Sequence, residues 1–139
     1  MIVLDTNVLS EALKPLPSSV VLRWLAAQEP GMVFTTAITT AEILYGIELL
    51  PAGRRRAQLS AAVEKIFAED FRGRILPFDS AAAVIFARIA AACRAGGRPM
   101  GQFDAQIASI ALSRGASLAT RNLADFEGCG LELLNPWET

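Results

Sequence analysis

A chain of 139 residues with a net charge of −1 and no histidine has room for one domain with a proper core. It cannot run a histidine triad, a histidine general base or a His-ligated zinc, and its charge is not that of a polybasic nucleic-acid binder. Hydrophobic residues make up 53% of the chain and the mean hydropathy is +0.37, high enough that either much of the surface is apolar or a partner covers part of it.

In chain order the pattern alternates strands and helices. Ile2, Val3 and Leu4 form an apolar run without polar alternation, as expected of a strand buried on both faces of a parallel sheet. The run ends in Asp5, Thr6 and Asn7, followed by a short helix over about 7–13. Pro15 and Pro17 break the pattern, and Ser18 or Ser19 can cap a helix over about 20–28. A second strand is expected at 32–35, a helix from about 40 to 50, and another over 54–67 that opens with three arginines. A third strand follows at 74–77. The span 80–95 predicts a long alanine-rich helix ended by Gly96 and Gly97, and 104–114 a sixth helix stopped by Gly115. Strands at 117–120 and 131–134 complete the set. Such alternation predicts an α/β fold, a central parallel sheet of four or five strands between helical layers, in a single domain over 1–139.

No stretch reaches the ~20 apolar residues needed to span a bilayer, and no basic start precedes an apolar region. Cys93 and Cys129 are too few for a disulfide framework and lack metal-site spacing, so reduced thiols in the cytoplasm are expected. Positive charge is nearly all arginine, with Lys14 and Lys65 the only lysines. Arginine suits phosphate because its fork binds bidentately.

The acidic residues fall at telling places. In open parallel sheets, ligands bind beyond the carboxyl ends of the strands. Asp5 follows the first strand, Glu42 lies in the first turn of the helix after the second, and Asn122 and Asp125 follow the fourth. Asp104 begins the helix before the fourth strand and reaches the same edge if that helix starts there. Each has a plainer explanation. Asp5 or Thr6 can cap the short helix. Glu42 stands at capping-box spacing from Thr39, Asp104 suits a helix N-terminus, and Asp125 suits a turn. Together they imply a carboxylate cluster, in which like charges ~4 Å apart repel by roughly 4 kcal/mol per pair. With no histidine and little lysine, a divalent cation is the natural counter-charge, and Mg²⁺ or Mn²⁺ among acidic ligands suits attack of water on a phosphodiester.

Five segments, LDTNVLSE at 4–11, ITTAEILYG at 38–46, GRILPFD at 73–79, DAQIA at 104–108 and ATRNLADF at 119–126, resemble the ordered motifs of PIN-domain toxins, specifically the VapC/FitB-like branch of type II toxin–antitoxin systems. The closing Asn135, Pro136 and Trp137 also resemble FitB-type chains. The resemblance implies a three-layer α/β/α sandwich and a Mg²⁺- or Mn²⁺-dependent endoribonuclease. It further implies a homodimer held inactive by a cognate antitoxin, a small DNA-binding protein, with operator DNA as a further component. Matched by position, Asp5, Glu42 and Asp104 are the acidic metal-site residues and Thr120 the hydroxyl near the end of the fourth strand. The family's fourth acidic position is often the residue after Thr-Arg, here Asn122, which leaves Asp125 as the candidate substitute.

On this reading Asp5 and Asp104 hold the metal, with Glu42 a further or water-linked ligand. Thr6, Asn7 and Thr120 orient ligands or water. Arg121, Arg54 and Arg55 are candidates for flanking phosphates, although an arginine-rich helix start is also an ordinary solvated face. Leu44, Tyr45, Ile47, Leu49 and Leu50 are more apolar residues than one buried face of so short a helix needs. They suggest a groove for an antitoxin helix, a dimer interface, or a helix buried all round. The rival readings fit less well. A receiver module would need a lysine near the strand ends, and an Asp-x-Asp phosphatase needs an aspartate where Asn7 stands. A PIN module that binds nucleic acid without cutting, in complex with its antitoxin, is separated only by activity.

Overall fold

The computed structural model describes residues 1–138, so Thr139, the last residue of the expected domain, lies outside the described residues. Five strands, β1 (Ile2–Leu4), β2 (Val33–Thr36), β3 (Ile75–Leu76), β4 (Ser117–Ala119) and β5 (Leu133–Leu134), form one sheet in the order β3-β2-β1-β4-β5. Every pairing is parallel. Six helices accompany it: α1 (Thr6–Ala12), α2 (Ser19–Ala26), α3 (Ala37–Glu48), α4 (Arg54–Lys65), α5 (Ser80–Ala95) and α6 (Gln102–Ser113). Among the described residues no helix is long and apolar enough to cross a membrane.

The uninterrupted apolar run of β1 is explained by two cores, one on each face. Val3 packs with Ile107, Ile110, Leu118 and Phe126, below α5 and α6. Leu4, one residue on and pointing the other way, packs with Val8, Val21, Ile43 and Val63, below α1 to α4. The result is the expected α/β/α arrangement with β1 at its centre.

Helix α5 has the expected bounds because both ends carry strong local signals. Asp79 accepts a hydrogen bond from the Ala82 N–H at 3.0 Å, and Gly97 takes a φ of +73° so that Arg98 N–H can close back on the Cys93 carbonyl at 2.9 Å. Helix α3 differs from expectation. It starts at Ala37, not near residue 40, because Thr36 is its cap: the Thr36 hydroxyl accepts from the Thr39 N–H at 3.1 Å. Helix α4 also ends early, passing into a wider π-turn at Ile66–Asp70. Arg74 closes that turn, its guanidinium donating to the carbonyls of Pro30, Val33 and Asp70.

Candidate functional site

The sheet order changes direction at β1: β2 and β3 extend to one side, β4 and β5 to the other. The crevice beyond the carboxyl ends of β1 and β4 is therefore the expected ligand position for such a sheet, and Asp5 and Thr120 stand at its two sides. Asp5 is buried, 4% exposed. One of its oxygens accepts from the Thr6 N–H at 2.8 Å and the other from the Thr120 hydroxyl at 2.7 Å. The Thr120 oxygen in turn accepts from the Asn7 amide at 3.3 Å and the Asn122 N–H at 3.1 Å. Asn7, Thr120 and the Asn122 backbone thus hold the Asp5 carboxylate in one orientation. Asp5 caps α1 as well, so the structural and the functional reading of this residue coexist.

Glu42 does not close a capping box. Its carboxylate accepts from the Thr6 hydroxyl at 2.8 Å. Thr6 must then receive its own hydrogen bond from Thr39, 3.0 Å away, and Thr39 from Thr36 at 3.4 Å. Three hydroxyls in series therefore aim at Glu42, and Thr36 and Thr39 are fully buried. Sequence reasoning missed Thr36 and Thr39 as members of the site. Their signal was the run of threonines at 35–36 and 39–40, which reads locally as helix capping.

Asp104 sits in the first turn of α6, and Asp125 in a short 3₁₀ turn, Leu123–Phe126, just after β4. The proximity of Asp125 is felt at Asp104 and at Asp5. Burial pushes Asp104 up to about 6, with the negative charges of Asp5 and Asp125 adding to it. Burial raises Asp5 as well, hydrogen bonds from Thr120 and Thr6 pull it back, and the charges of Glu42 and Asp125 push it up again. All four carboxylates thus share one edge, and among the described residues none is in a salt bridge. Glu11 shows the contrast: it is paired with Lys14 at 2.9 Å and the Ser18 N–H at 3.0 Å, which hold its pKa below the usual range. That carboxylate is structural.

The donor set is all oxygen, which fits a hard divalent cation. Among the described residues no three acidic side chains are drawn together tightly enough to grip one ion. Asn122 places only its backbone N–H in the network, its exposed side chain making no cap.

The remaining expected residues are spread more widely. The Arg121 guanidinium lies over the Trp137 ring, 5.0 Å from its centroid, beside the acidic edge. Arg54 is exposed at the start of α4. Arg55 lines a groove of about 360 Å³ that runs from Thr6 and Glu42 between α1, α3 and α4. The apolar set on α3 divides. Ile47 is a core residue, 5% exposed, so it does not present a free surface; it and Leu50 line the floor of that groove. Leu44, Tyr45 and Leu49 are exposed and are not part of its lining. A helix with a wide apolar girth explains the split, because only one side of it can face the groove. A second cleft, of about 430 Å³, opens on Asp104 and Asp125 from the other side.

The raised pKa of Asp104 has a stability consequence. The folded chain holds this proton up to about pH 6, whereas the ordinary value is 3.8. Between those values the folded state binds more protons than the unfolded one, so stability falls as pH rises through the window and stays low above it. A fully buried group would lose ~3 kcal/mol; Asp104 is only partly buried, and solvent screening reduces this to about 1 kcal/mol. Asp104→Asn, neutral throughout, is therefore expected to melt a few degrees higher than the parent at about pH 7.5 without metal, and close to it near pH 4. Melting curves with the same difference at both pH values would refute the argument.

A family model described as PIN domain matches residues 2–127. The chain is 41% identical over 138 residues to VapC ribonuclease Y4jK of Sinorhizobium fredii, covering 99% of each. It is 37% identical over 137 residues to Toxin FitB of Neisseria gonorrhoeae, again covering 99% of each. Among solved structures, FitAB bound to the IR36 DNA fragment superposes with a TM-score of 0.94 at 37% identity, covering 100% of this chain and 97% of that one.

Proposed function

Because the chain belongs to the PIN-domain family, in its VapC/FitB branch, we propose that it is the toxin of a toxin–antitoxin pair, a divalent-metal-dependent endoribonuclease. The observation that carries this reading is the edge of four carboxylates, none of which is in a salt bridge among the described residues. Charges so placed oppose folding unless something positive is bound there. When bound, Mg²⁺ or Mn²⁺ supplies a water of lowered pKa and charge to neutralise the scissile phosphate.

The chain's own residues do the rest. Asp5 and Asp104 hold the ion, with Glu42 as a further or water-linked ligand and Asp125 contributing through water. Thr120, held by Asn7 and the Asn122 N–H, keeps Asp5 from rotating, and the Thr36, Thr39 and Thr6 hydroxyls do the same for Glu42. Arg121 is stiffened by Trp137 and is placed to take a phosphate beside the cut, while Arg55 and Arg54 take phosphates farther along. The groove floored by Ile47 and Leu50 is the seat for an antitoxin helix. The exposed Leu44, Tyr45 and Leu49 are a second contact, to the antitoxin or to the other copy of a homodimer, and operator DNA joins through the antitoxin. The FitAB–DNA complex supports that assembly by likeness.

The test is cleavage of RNA by purified protein across a Mg²⁺ titration. Chelation is expected to abolish cutting. Asp125→Asn is expected to raise half-saturating Mg²⁺ by about tenfold or more, the scale of lost outer-shell support, and adding Asn122→Asp to lower it again by restoring the charge. Cleavage that survives chelation would exclude the metal reading. An unchanged half-saturation in Asp125→Asn would reduce Asp125 to a turn residue.

A further inference from the structure

The proposed nuclease uses neither of the chain's two cysteines. Far apart in sequence and both free, they meet at the second cleft. Cys93, half-buried in the last turn of α5, forms part of the cleft wall together with Met100 and Gly128. Cys129 follows Gly128 and is 8% exposed, its sulfur 3.5 Å from the Met100 sulfur. Burial weakens the acidity of the Cys129 thiol, and the neighbouring Cys93 thiol adds to the effect. The Arg98–Glu127 ion pair, 3.3 Å, spans the same two segments and holds them in register.

We propose that Cys93 and Cys129 form a reversible intramolecular disulfide when the protein meets a small-molecule disulfide such as oxidised glutathione. The cleft, about 430 Å³, is of a size that admits a small molecule, and only Cys93 is presented to it. The Cys93 thiolate attacks one sulfur of the reagent, giving a mixed disulfide and releasing one thiolate. The Cys129 thiolate then attacks the Cys93 sulfur and expels the second. Two protein thiols and one reagent disulfide become one protein disulfide and two reagent thiols, so electrons and protons balance. Uncatalysed exchange of this kind runs on a scale of minutes to hours. Once formed, the link ties the end of α5 to the segment after Phe126, which carries Glu127 and adjoins Asp125. The cleft beside Asp104 then loses its freedom to widen.

The experiment treats the intact protein with millimolar oxidised glutathione and reads mass and thiols, so it is independent of whether the protein cuts RNA. The expected product is a single chain two hydrogens lighter, with no reactive thiol in denaturant and a proteolytic peptide joining Cys93 to Cys129, fully reversed by dithiothreitol. Its melting midpoint is expected to rise by about 5 °C. Cys129→Ser should instead retain glutathione on Cys93. Three outcomes would overturn the proposal: both thiols surviving in the parent protein, glutathione persisting on parent Cys93, or a link between two copies.

Discussion

Asp5→Asn is expected to lower RNA cleavage by more than about a hundredfold, because loss of an outer-shell partner alone costs about 10–100-fold in metal-site function and Asp5 is a proposed direct ligand. Stability should change little, since two effects oppose each other. Removing the charge relieves desolvation and the repulsion from Glu42 and Asp125. The new amide, however, cannot satisfy both neighbours. The Thr6 N–H and the Thr120 hydroxyl both donate to Asp5, and an amide offers only one oxygen, leaving a buried donor facing a donor at about 1–3 kcal/mol. Single-turnover cleavage and a thermal melt on one preparation separate the two. Cleavage near the parent rate with an unchanged melt would remove Asp5 from the metal site.

Phe126→Ala should have the largest effect on stability. The ring is 1% exposed and packs with Val3, Ile107 and Leu118, so truncation costs about 3–5 kcal/mol and lowers the melting midpoint by roughly 10 °C. Phe126 also pins the 3₁₀ turn that holds Asp125, so the variant should lose part of its Mg²⁺ response at temperatures where it is still folded. A loss under about 1 kcal/mol in denaturant titration would mean the turn repacks into the vacated space.

What could be read from the chain alone divides by the range of the interactions involved. The β1 run, the bounds of α5 and the stop at Gly115 rest on neighbouring residues, so the pattern announced them. The placement of Asp5, Glu42 and Asp104 along one edge followed from strand order and family likeness together. The partner of Glu42 did not, because Thr6 lies 36 positions away and a closer threonine, Thr39, offered a ready capping box. The start of α3 was misread for the same reason: Thr36 and Thr39 are equally good caps locally, and tertiary packing chose between them. Ile47 looked available because the apolar girth of α3 does not say which side the sheet occupies. The Arg121–Trp137 stack and the meeting of Cys93 with Cys129 depend on chain returns that no local pattern encodes.

The hydrogen bond between Thr120 and Asp5 bridges 115 positions, and this sets when the site can exist during synthesis. Asp5 is made well before Thr120, on a strand that pairs with β4. At ordinary translation speeds the two are separated by roughly ten seconds, and β1 cannot close its parallel pairing with β4 before then. A nascent or prematurely ended chain therefore carries Asp5 without Thr120 or Asp125 beside it, so the proposed site stays incomplete until β4 and the turn after it have been made.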